Sequence, residues 1–242
     1  GAIENLQDHL SLEEADVYKK PTVLKDDASL AEQLDKMNKY AKMSVTYQFG
    51  DSTETLNGDQ IHAWLIANAD GSVSVDSSKV SEYVSDMAKA HNTSNKAKTL
   101  KTSYGSTIQV SGGTYGWKIN QAAETEALAA IIASGESTTR EPEYSQKAAS
   151  HSGNDYGNTY VEINLTAQHL YFYANGKLLV ESDFVSGNAA KGWSTPAGAY
   201  SITYKQRNAT LKGQGYATPV SYWMPFNGGI GLHDASWRSS FG

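Results

Sequence analysis

The stretch VEINLTAQHLYFYANGKLLVESDFV, residues 161–185, decides the fold of the second half of the chain. Its first apolar residues, Val161, Ile163 and Leu165, alternate with polar ones, which is the two-residue period of a half-buried strand. The pair Asn175-Gly176 then favours the type I′ turn of a β-hairpin. Further strands are predicted over 199–205, 217–224 and 229–233.

The residues before this stretch show helical spacing instead. A short helix is predicted between Ser11 and Pro21, because Ser11 and Glu14 have capping-box spacing and proline ends a helix. The next helix repeats apolar residues at Leu30, Leu34, Met37 and Ala41, with charged residues on the opposite face. Three more helices are predicted over 58–67, 77–91 and 121–134. Strands or hairpins are predicted over 43–49, 72–75, 100–110 and 115–119.

A change of composition separates the two halves. Residues 145–158, SQKAASHSGNDYGN, contain no large apolar residue except Tyr156, and their Ser, Gly and Asn content is typical of a linker. We therefore predict two domains: an α+β domain over 1–145, a linker over 146–158, and a mainly β domain over 159–242.

Length and composition bound the function. With 242 residues, 39% of them apolar, the chain can build a core in each domain. A net charge of -6 without a basic stripe argues against nucleic-acid binding. No apolar run approaches the roughly 20 residues of a membrane span.

Several kinds of chemistry are excluded within these residues. The sequence has no cysteine, which removes disulfides, thiolate metal sites and thiol catalysis here. Its six histidines include no pair at the helical spacing of a zinc site, so neither a metal nor a cofactor is predicted. The serine signatures Gly-x-Ser-x-Gly and Ser-x-x-Lys are absent as well, which weakens a serine hydrolase interpretation.

Three blocks follow the hairpin in order: Ser194-Thr195-Pro196-Ala197-Gly198, Tyr222-Trp223-Met224-Pro225-Phe226, and Gly229-Ile230-Gly231-Leu232-His233-Asp234. Together with the hairpin they resemble the YkuD-type catalytic domain of the L,D-transpeptidases over residues 159–242. Residues 40–142 resemble the peptidoglycan-binding domain found in VanW-like proteins, notably in Gly113-Thr114-Tyr115-Gly116-Trp117 and Arg140-Glu141-Pro142.

The resemblance implies an acyltransferase that cross-links the third-position residues of two peptidoglycan stem peptides through a cysteine acyl-enzyme. Carbapenems are then expected to acylate it. The family's Ser-His-Gly-Cys motif is expected beyond Gly242, in a longer natural chain. Function outside the cytoplasm is implied, at the cell wall or the outer face of the membrane, reached through an N-terminal anchor.

The resemblance also implies roles for individual residues. His233 matches the catalytic base, although a structural histidine that closes a strand is the alternative. The predicted substrate-binding residues Trp223, Met224, Phe226 and Trp237 could instead pack in a core or anchor a loop. The residues expected to shape the site are Thr195, Pro196, Gly198 and Asp234.

Two further questions stay open at this point. Tyr115 and Trp117 could stack on sugar rings, although aromatic residues on a short strand are more often core. The absence of cysteine keeps a non-catalytic peptidoglycan-binding module as an alternative function, and a scaffold protein with two linked domains is another.

Overall fold

The computed structural model describes residues 28–213 and 215–241. The predicted helix between Ser11 and Pro21 lies outside these residues. In the N-terminal half the elements are α1 (Ala28–Lys42), β1 (Val45–Phe49), β2 (Ser52–Leu56), α2 (Gly58–His62), β3 (Leu65–Ala67), β4 (Val73–Val75), α3 (Ser77–His91), β5 (Lys98–Lys101), β6 (Thr107–Val110), β7 (Lys118–Ile119), α4 (Gln121–Ser134), β8 (Thr138–Arg140) and β9 (Tyr144–Gln146). In the C-terminal half they are β10 (Tyr160–Asn164), β11 (His169–Ala174), β12 (Lys177–Asp183), a 3-10 helix (Ala189–Lys191), β13 (Gln206–Gly213), β14 (Tyr216–Asn227) and β15 (Ile230–His233).

The N-terminal half is built around one closed core. Strand β1 is central in its sheet, because it pairs antiparallel with β2 and parallel with β8. Helices α3 and α4 pack on each other, and both contribute buried side chains. The buried apolar cluster consists of Met43, Val45, Tyr47, Phe49, Leu56, Ile61, Val80, Val84, Met87, Ala88, Ile119, Leu128 and Ile132. The predicted α+β class of this half is confirmed.

The bounds of α3 and α4 follow from their caps. The Asp76 side chain accepts a hydrogen bond from the Ser78 N–H, which satisfies a free donor at the start of α3. Asn120 caps α4 in the same way, and Gly135 ends this helix in the left-handed region at φ 67°. The helices predicted over 77–91 and 121–134 are therefore confirmed.

The C-terminal half consists of two small antiparallel sheets. One has the strand order β10-β11-β12 and the other β13-β14-β15. Asn175 and Gly176 join β11 to β12 with φ values of 50° and 75°, the positive values that a type I′ turn requires at both positions. The predicted hairpin and the mainly β class of this half are confirmed.

The strand predicted over 199–205 is wrong. Residues 201–205 have no ladder partner in the part of the chain that the structure describes, and Ala199 forms only an isolated bridge with Gly113 there. The strand begins later, as β13, because Gln206 is the first residue to enter the register with β14, opposite Trp223. The apolar residues Ile202 and Tyr204, which suggested the strand, line a groove.

Two helix predictions also need correction. The helix predicted over 58–67 ends at His62, because Leu65 already pairs with Val75 in a β-hairpin. The helix predicted around Leu30 and Leu34 exists as α1. Among the described residues, however, these leucines are 43% and 58% exposed, so the expected apolar face is not covered there. The strand predicted over 115–119 is shortened to β7.

The residues predicted as a linker pack on the N-terminal half. Asp155 and Lys98 are both buried and form an ion pair with 2.7 Å between Oδ2 and Nζ. The His151 ring stacks on the Trp117 ring with 3.7 Å between centroids. A Ser- and Gly-rich composition is thus compatible with a fixed segment. We retain 146–158 as the proposed boundary between the domains.

Candidate active site

A large open groove of about 1040 Å³ is bounded by strands of both C-terminal sheets. Val161 and Ile163 of β10 lie on one wall, and the loop residue Thr195 lies on another. The predicted site residues that line the groove are Thr195, Trp223, Met224, Phe226, His233, Asp234 and Trp237. Folding thus brings together residues from all three sequence blocks.

His233 is the last residue of β15, opposite Trp223 of β14 in the strand register. Its Nδ1 lies 2.7 Å from the backbone oxygen of Asp234. A carbonyl oxygen only accepts hydrogen bonds, so Nδ1 carries the proton in this bond. In the neutral ring, Nε2 then holds the lone pair, which is the state that a general base requires.

Asp234 fixes the backbone on which His233 sits. Its Oδ1 accepts a hydrogen bond from the Tyr222 N–H at 2.8 Å. Hydrogen bonds from backbone N–H groups lower the pKa of the Asp234 carboxyl below its ordinary value, and the bond from Tyr222 has the largest effect. The carboxylate is therefore charged at neutral pH and ties the residue after β15 to β14.

Aromatic side chains surround His233 on two sides. The Trp237 ring stacks on the imidazole at 5.8 Å, and the Trp223 ring lies at 6.0 Å. Trp223 Nε1 donates to the Tyr204 hydroxyl at 3.3 Å, which orients the indole. Trp223 is half-buried and Trp237 is 53% exposed, so both keep apolar surface for a ligand.

Met224 and Phe226, the other predicted substrate-binding residues, lie further along β14 and are half-buried. The Phe226 ring contacts the ring of Tyr200 with 5.4 Å between centroids. Both side chains line the groove, so they pack on neighbours and present surface to it.

The Thr195–Gly198 loop lies at the groove at one end and against the N-terminal half at the other. Thr195 Oγ1 accepts a hydrogen bond from the Gly187 N–H at 3.0 Å and faces the groove. Pro196 and Gly198 are not part of the groove wall. Gly198 has φ 143° and approaches the backbone of Gly112 and Gly113 in the N-terminal half. This loop therefore connects the groove to the other domain.

Three cations in the groove wall were missed by the sequence analysis. Lys205, Lys212 and Arg238 line the groove, and none has an ion-pair partner among the residues that the structure describes. Asp234 is the only acidic residue among the described groove residues. No sequence signal identified the cations, because they come from separate segments and the chain as a whole has a net charge of -6.

Tyr115 and Trp117 have structural contacts rather than free faces. Trp117 is 8% exposed, and its Nε1 donates to the Ser150 backbone oxygen at 2.7 Å. The Tyr115 hydroxyl accepts a hydrogen bond from the Ala149 N–H at 2.8 Å. Both rings hold the segment that follows β9, which favours the core alternative over sugar stacking.

The described ranges contain no candidate for a metal site and no candidate for a membrane-spanning helix. Within residues 28–213 and 215–241, no group of three or more His, Asp or Glu side chains is arranged to hold a metal ion. Among the helices in the same residues, none is long and apolar enough to cross a membrane.

Comparison with protein-family models gives two matches. A model described as "L,D-transpeptidase catalytic domain" matches residues 158–242. A model described as "Putative peptidoglycan binding domain" matches residues 26–140. A comparison with curated proteins found no match.

Solved structures extend the likeness across both domains. An L,D-transpeptidase from Enterococcus faecium, in a cysteine-to-serine mutant form, is 36% identical, with a TM-score of 0.69 over 87% of this chain and 85% of that chain. The Ldtfm-avibactam carbamoyl enzyme is 37% identical, with a TM-score of 0.70 over 88% of this chain and 84% of that chain.

These matches fix the family and the coarse function. Two peptidoglycan-related domains place the function of the chain at the cell wall, outside the cytoplasm. The catalytic-domain match and the two solved structures support a transpeptidase over a module that only binds. The chain belongs to the L,D-transpeptidase family, with a peptidoglycan-binding domain ahead of its catalytic domain.

Proposed function

We propose that this L,D-transpeptidase joins the third-position residues of two peptidoglycan stem peptides, with His233 as the general base. The observation that carries the proposal is the hydrogen bond from His233 Nδ1 to the Asp234 carbonyl, which leaves Nε2 as the proton acceptor at the groove. Thiolate chemistry needs such a group, because a thiol is a poor nucleophile until a base removes its proton.

The proposed reaction has two steps. His233 Nε2 takes the proton of a cysteine thiol, and the thiolate attacks the carbonyl carbon between stem residue three and D-alanine. The amide bond breaks, the proton passes to the departing D-alanine amine, and a thioester remains. An amine of a second stem then attacks the thioester and loses its proton to His233, so that a new amide forms and the thiolate is restored.

The groove offers surface suited to a stem peptide. Trp223, Met224, Phe226 and Trp237 present apolar area to methylene and methyl groups of the peptide. Lys205, Lys212 and Arg238 place positive charge on the same walls without an ion-pair partner among the described residues, which suits the carboxylates of a stem peptide. Thr195, Pro196, Gly198 and Asp234 shape the site by holding its backbone.

β-Lactams are the proposed inhibitors, because their strained amide is attacked by the same thiolate. A solved relative is an avibactam carbamoyl enzyme, so that protein forms a covalent adduct with a different electrophilic inhibitor, a cyclic urea. We propose carbapenems as the class that acylates this protein. We also propose that the natural protein acts at the outer face of the cytoplasmic membrane, held there by an N-terminal anchor.

The test uses the natural full-length protein, since none of the 242 residues is cysteine. Its intact mass is measured before and after incubation with a carbapenem. A one-to-one adduct that disappears when the protein's cysteine is replaced by serine supports the proposal. A protein that binds muropeptides but forms no adduct and no cross-linked product would be a binding module, and the enzymatic proposal would fail.

A further inference from the structure

One hairpin of the N-terminal domain contacts two segments of the C-terminal half, each of which also carries residues that line the groove. Strands β5 and β6 form this hairpin, and Gly112-Gly113 follow directly after β6. We name residues 98–113 the clamp hairpin. Its turn reaches β10, and its end reaches the Thr195–Gly198 loop.

The first contact is a set of hydrogen bonds to a buried carboxylate. Glu162 of β10 is 4% exposed and accepts bonds from the Ser103 N–H at 3.0 Å and the Ser103 hydroxyl at 2.6 Å. The Ser103 hydroxyl also lies 2.8 Å from that of Tyr173 in β11. Bonds to a charged acceptor are stronger than neutral ones, so this contact fixes the position of β10. Its neighbours Val161 and Ile163 line the groove.

The second contact joins two backbones without side chains. The Ala199 N–H donates to the Gly112 oxygen at 3.1 Å, and the Tyr115 N–H donates to the Ala199 oxygen at 3.0 Å. These bonds flank a parallel bridge between Gly113 and Ala199. Ala199 directly follows the Thr195–Gly198 loop, and Thr195 lines the groove.

Glycine is required for this approach. Gly113 has φ 81°, and a Cβ added there would overlap the backbone oxygen of Ala199. A Cβ on Gly112 would lie 2.9 Å from the Ala197 oxygen. The two backbone segments can therefore lie this close only because neither glycine carries a side chain.

The chain beyond the bridge leads to the strand beside His233. The Tyr200 ring contacts Phe226, and the Thr203 N–H donates to the Pro225 oxygen at 2.8 Å. Both partners belong to β14, which also carries Trp223 opposite His233. A displacement of the bridge would thus be transmitted through packed groups to one side of the site.

We propose that the clamp hairpin sets the width of the substrate groove, with Ser103 and Gly113 as positioning residues. The N-terminal domain is then part of the catalytic unit in addition to any role in binding the wall. The inference rests on the proposed function, because the groove width would affect the rate of the proposed transpeptidation. The contacts of the clamp hairpin can be tested without measuring enzymatic activity.

The test compares two glycine substitutions in the natural full-length protein. Gly113→Ala introduces the overlap with Ala199. Gly176→Ala is the matched control, because Gly176 lies outside the clamp hairpin and has a similar φ of 75°, but no atom of the described residues lies within 4 Å of an added Cβ. Both variants carry the strain of an L-residue at positive φ, and only Gly113→Ala opposes the bridge.

Two measurements separate positioning from loss of folded protein. Steady-state kcat/KM is divided by the fraction of sites that a carbapenem titrates, and hydrogen exchange is followed by mass spectrometry over residues 193–199. Relative to Gly176→Ala, we expect Gly113→Ala to lower kcat/KM per titrated site about tenfold, since small displacements of a reacting group are costly. We expect exchange in the loop to be at least about fivefold faster.

The outcomes are distinguishable. If both quantities stay within about twofold of the Gly176→Ala control, the inference is wrong, whatever the reaction. If the unmodified protein forms no adduct, the proposed function fails, and the exchange measurement alone decides the inference. If Gly113→Ala does not fold, Ser103→Ala tests the other contact, with faster exchange expected over 160–164 and unchanged exchange there counting against the clamp.

Discussion

The two halves of the molecule bury their apolar residues to very different degrees. The N-terminal half encloses a cluster of 13 buried apolar residues, and Val45, Leu128 and Ile132 in it are fully buried. In the C-terminal half, the buried apolar residues among those described are Ala209, Val220 and Pro225. Several apolar side chains of the C-terminal strands instead line the groove, among them Val161, Phe172 and Leu232. The N-terminal domain therefore provides stability, and the C-terminal domain keeps its surface for a ligand.

Charged groups differ between the halves in the same way. In the N-terminal core, Glu124 is fully buried and accepts hydrogen bonds from the Tyr47 hydroxyl at 2.5 Å and the Glu143 N–H at 2.6 Å. It also pairs with Arg140 at 3.0 Å. The groove cations have no such partners among the described residues. Paired charges favour one structure, and unpaired charges in a groove favour an anionic ligand.

The largest expected effect concerns the base. Replacing His233 by Ala in the natural full-length protein should lower the rate of carbapenem acylation by about a hundred- to ten-thousandfold, the usual range for losing a general base. Since His233 is exposed, the melting temperature should barely change. His169→Ala is the control, because this histidine lies on β11 outside the groove. Acylation of His233→Ala at the unmodified rate would remove His233 from the mechanism.

The next effect concerns the core. Leu128→Ala should reduce the free energy of unfolding by about 2–5 kcal/mol, because a fully buried leucine leaves a cavity. Leu179→Ala on β12, where the side chain is 60% exposed, should change it by less than about 0.5 kcal/mol. Chemical denaturation of both variants measures the difference. Equal losses would show that the C-terminal sheets are packed as tightly as the N-terminal core.

A smaller but still large effect is expected at the proposed domain boundary. Asp155→Asn would leave the buried ammonium of Lys98 without its charged partner, which typically costs about 3–5 kcal/mol and here somewhat less, because the backbone oxygen of Thr93 also accepts from Lys98. Asp183→Asn is the matched control on an exposed hairpin. If the two variants unfold at the same denaturant concentration, residues 146–158 are a true linker and the contacts contribute nothing to stability.

Local signals account for the parts of the fold that were predicted. Asp76, Asn120 and Gly135 cap their helices through contacts within a few residues, so the sequence around them contains the whole cause. The Asn175-Gly176 turn is equally local. Strand β13 was missed because its partner is β14, and the register between them depends on tertiary pairing rather than on the residues of β13 alone.

For the site too, the sequence indicated local features but not contacts between distant segments. The position of His233 at the end of a strand was indicated by its sequence block. The distance between Gly113 and Ala199 had no sequence signal, because 86 residues separate two backbones that meet without side chains. Composition also misled at 146–158, since Ser and Gly permit a flexible chain but do not prevent buried contacts such as Asp155 with Lys98.

The smallest expected effect is the opposite titration of two histidines, one in the boundary segment packed on the N-terminal half and one in the C-terminal half. Burial against Trp117 lowers the pKa of His151 below the ordinary 6.5, so its neutral form is favoured in the folded state. The hydrogen bond that His169 Nδ1 donates to the Asp183 carboxylate raises the pKa of His169 above 6.5, so its charged form is favoured. The stability that His151 contributes is therefore present above pH 6.5 and lost as the pH falls through its folded pKa. The contribution of His169 is present below pH 6.5 and lost as the pH rises through its folded pKa.

An NMR titration of the imidazole signals should show the two pKa shifts with opposite signs, and Asp183→Asn should move only the pKa of His169 back toward 6.5. A His151 pKa that is not lowered would mean that the segment around His151 is open to solvent, which would contradict the packed boundary.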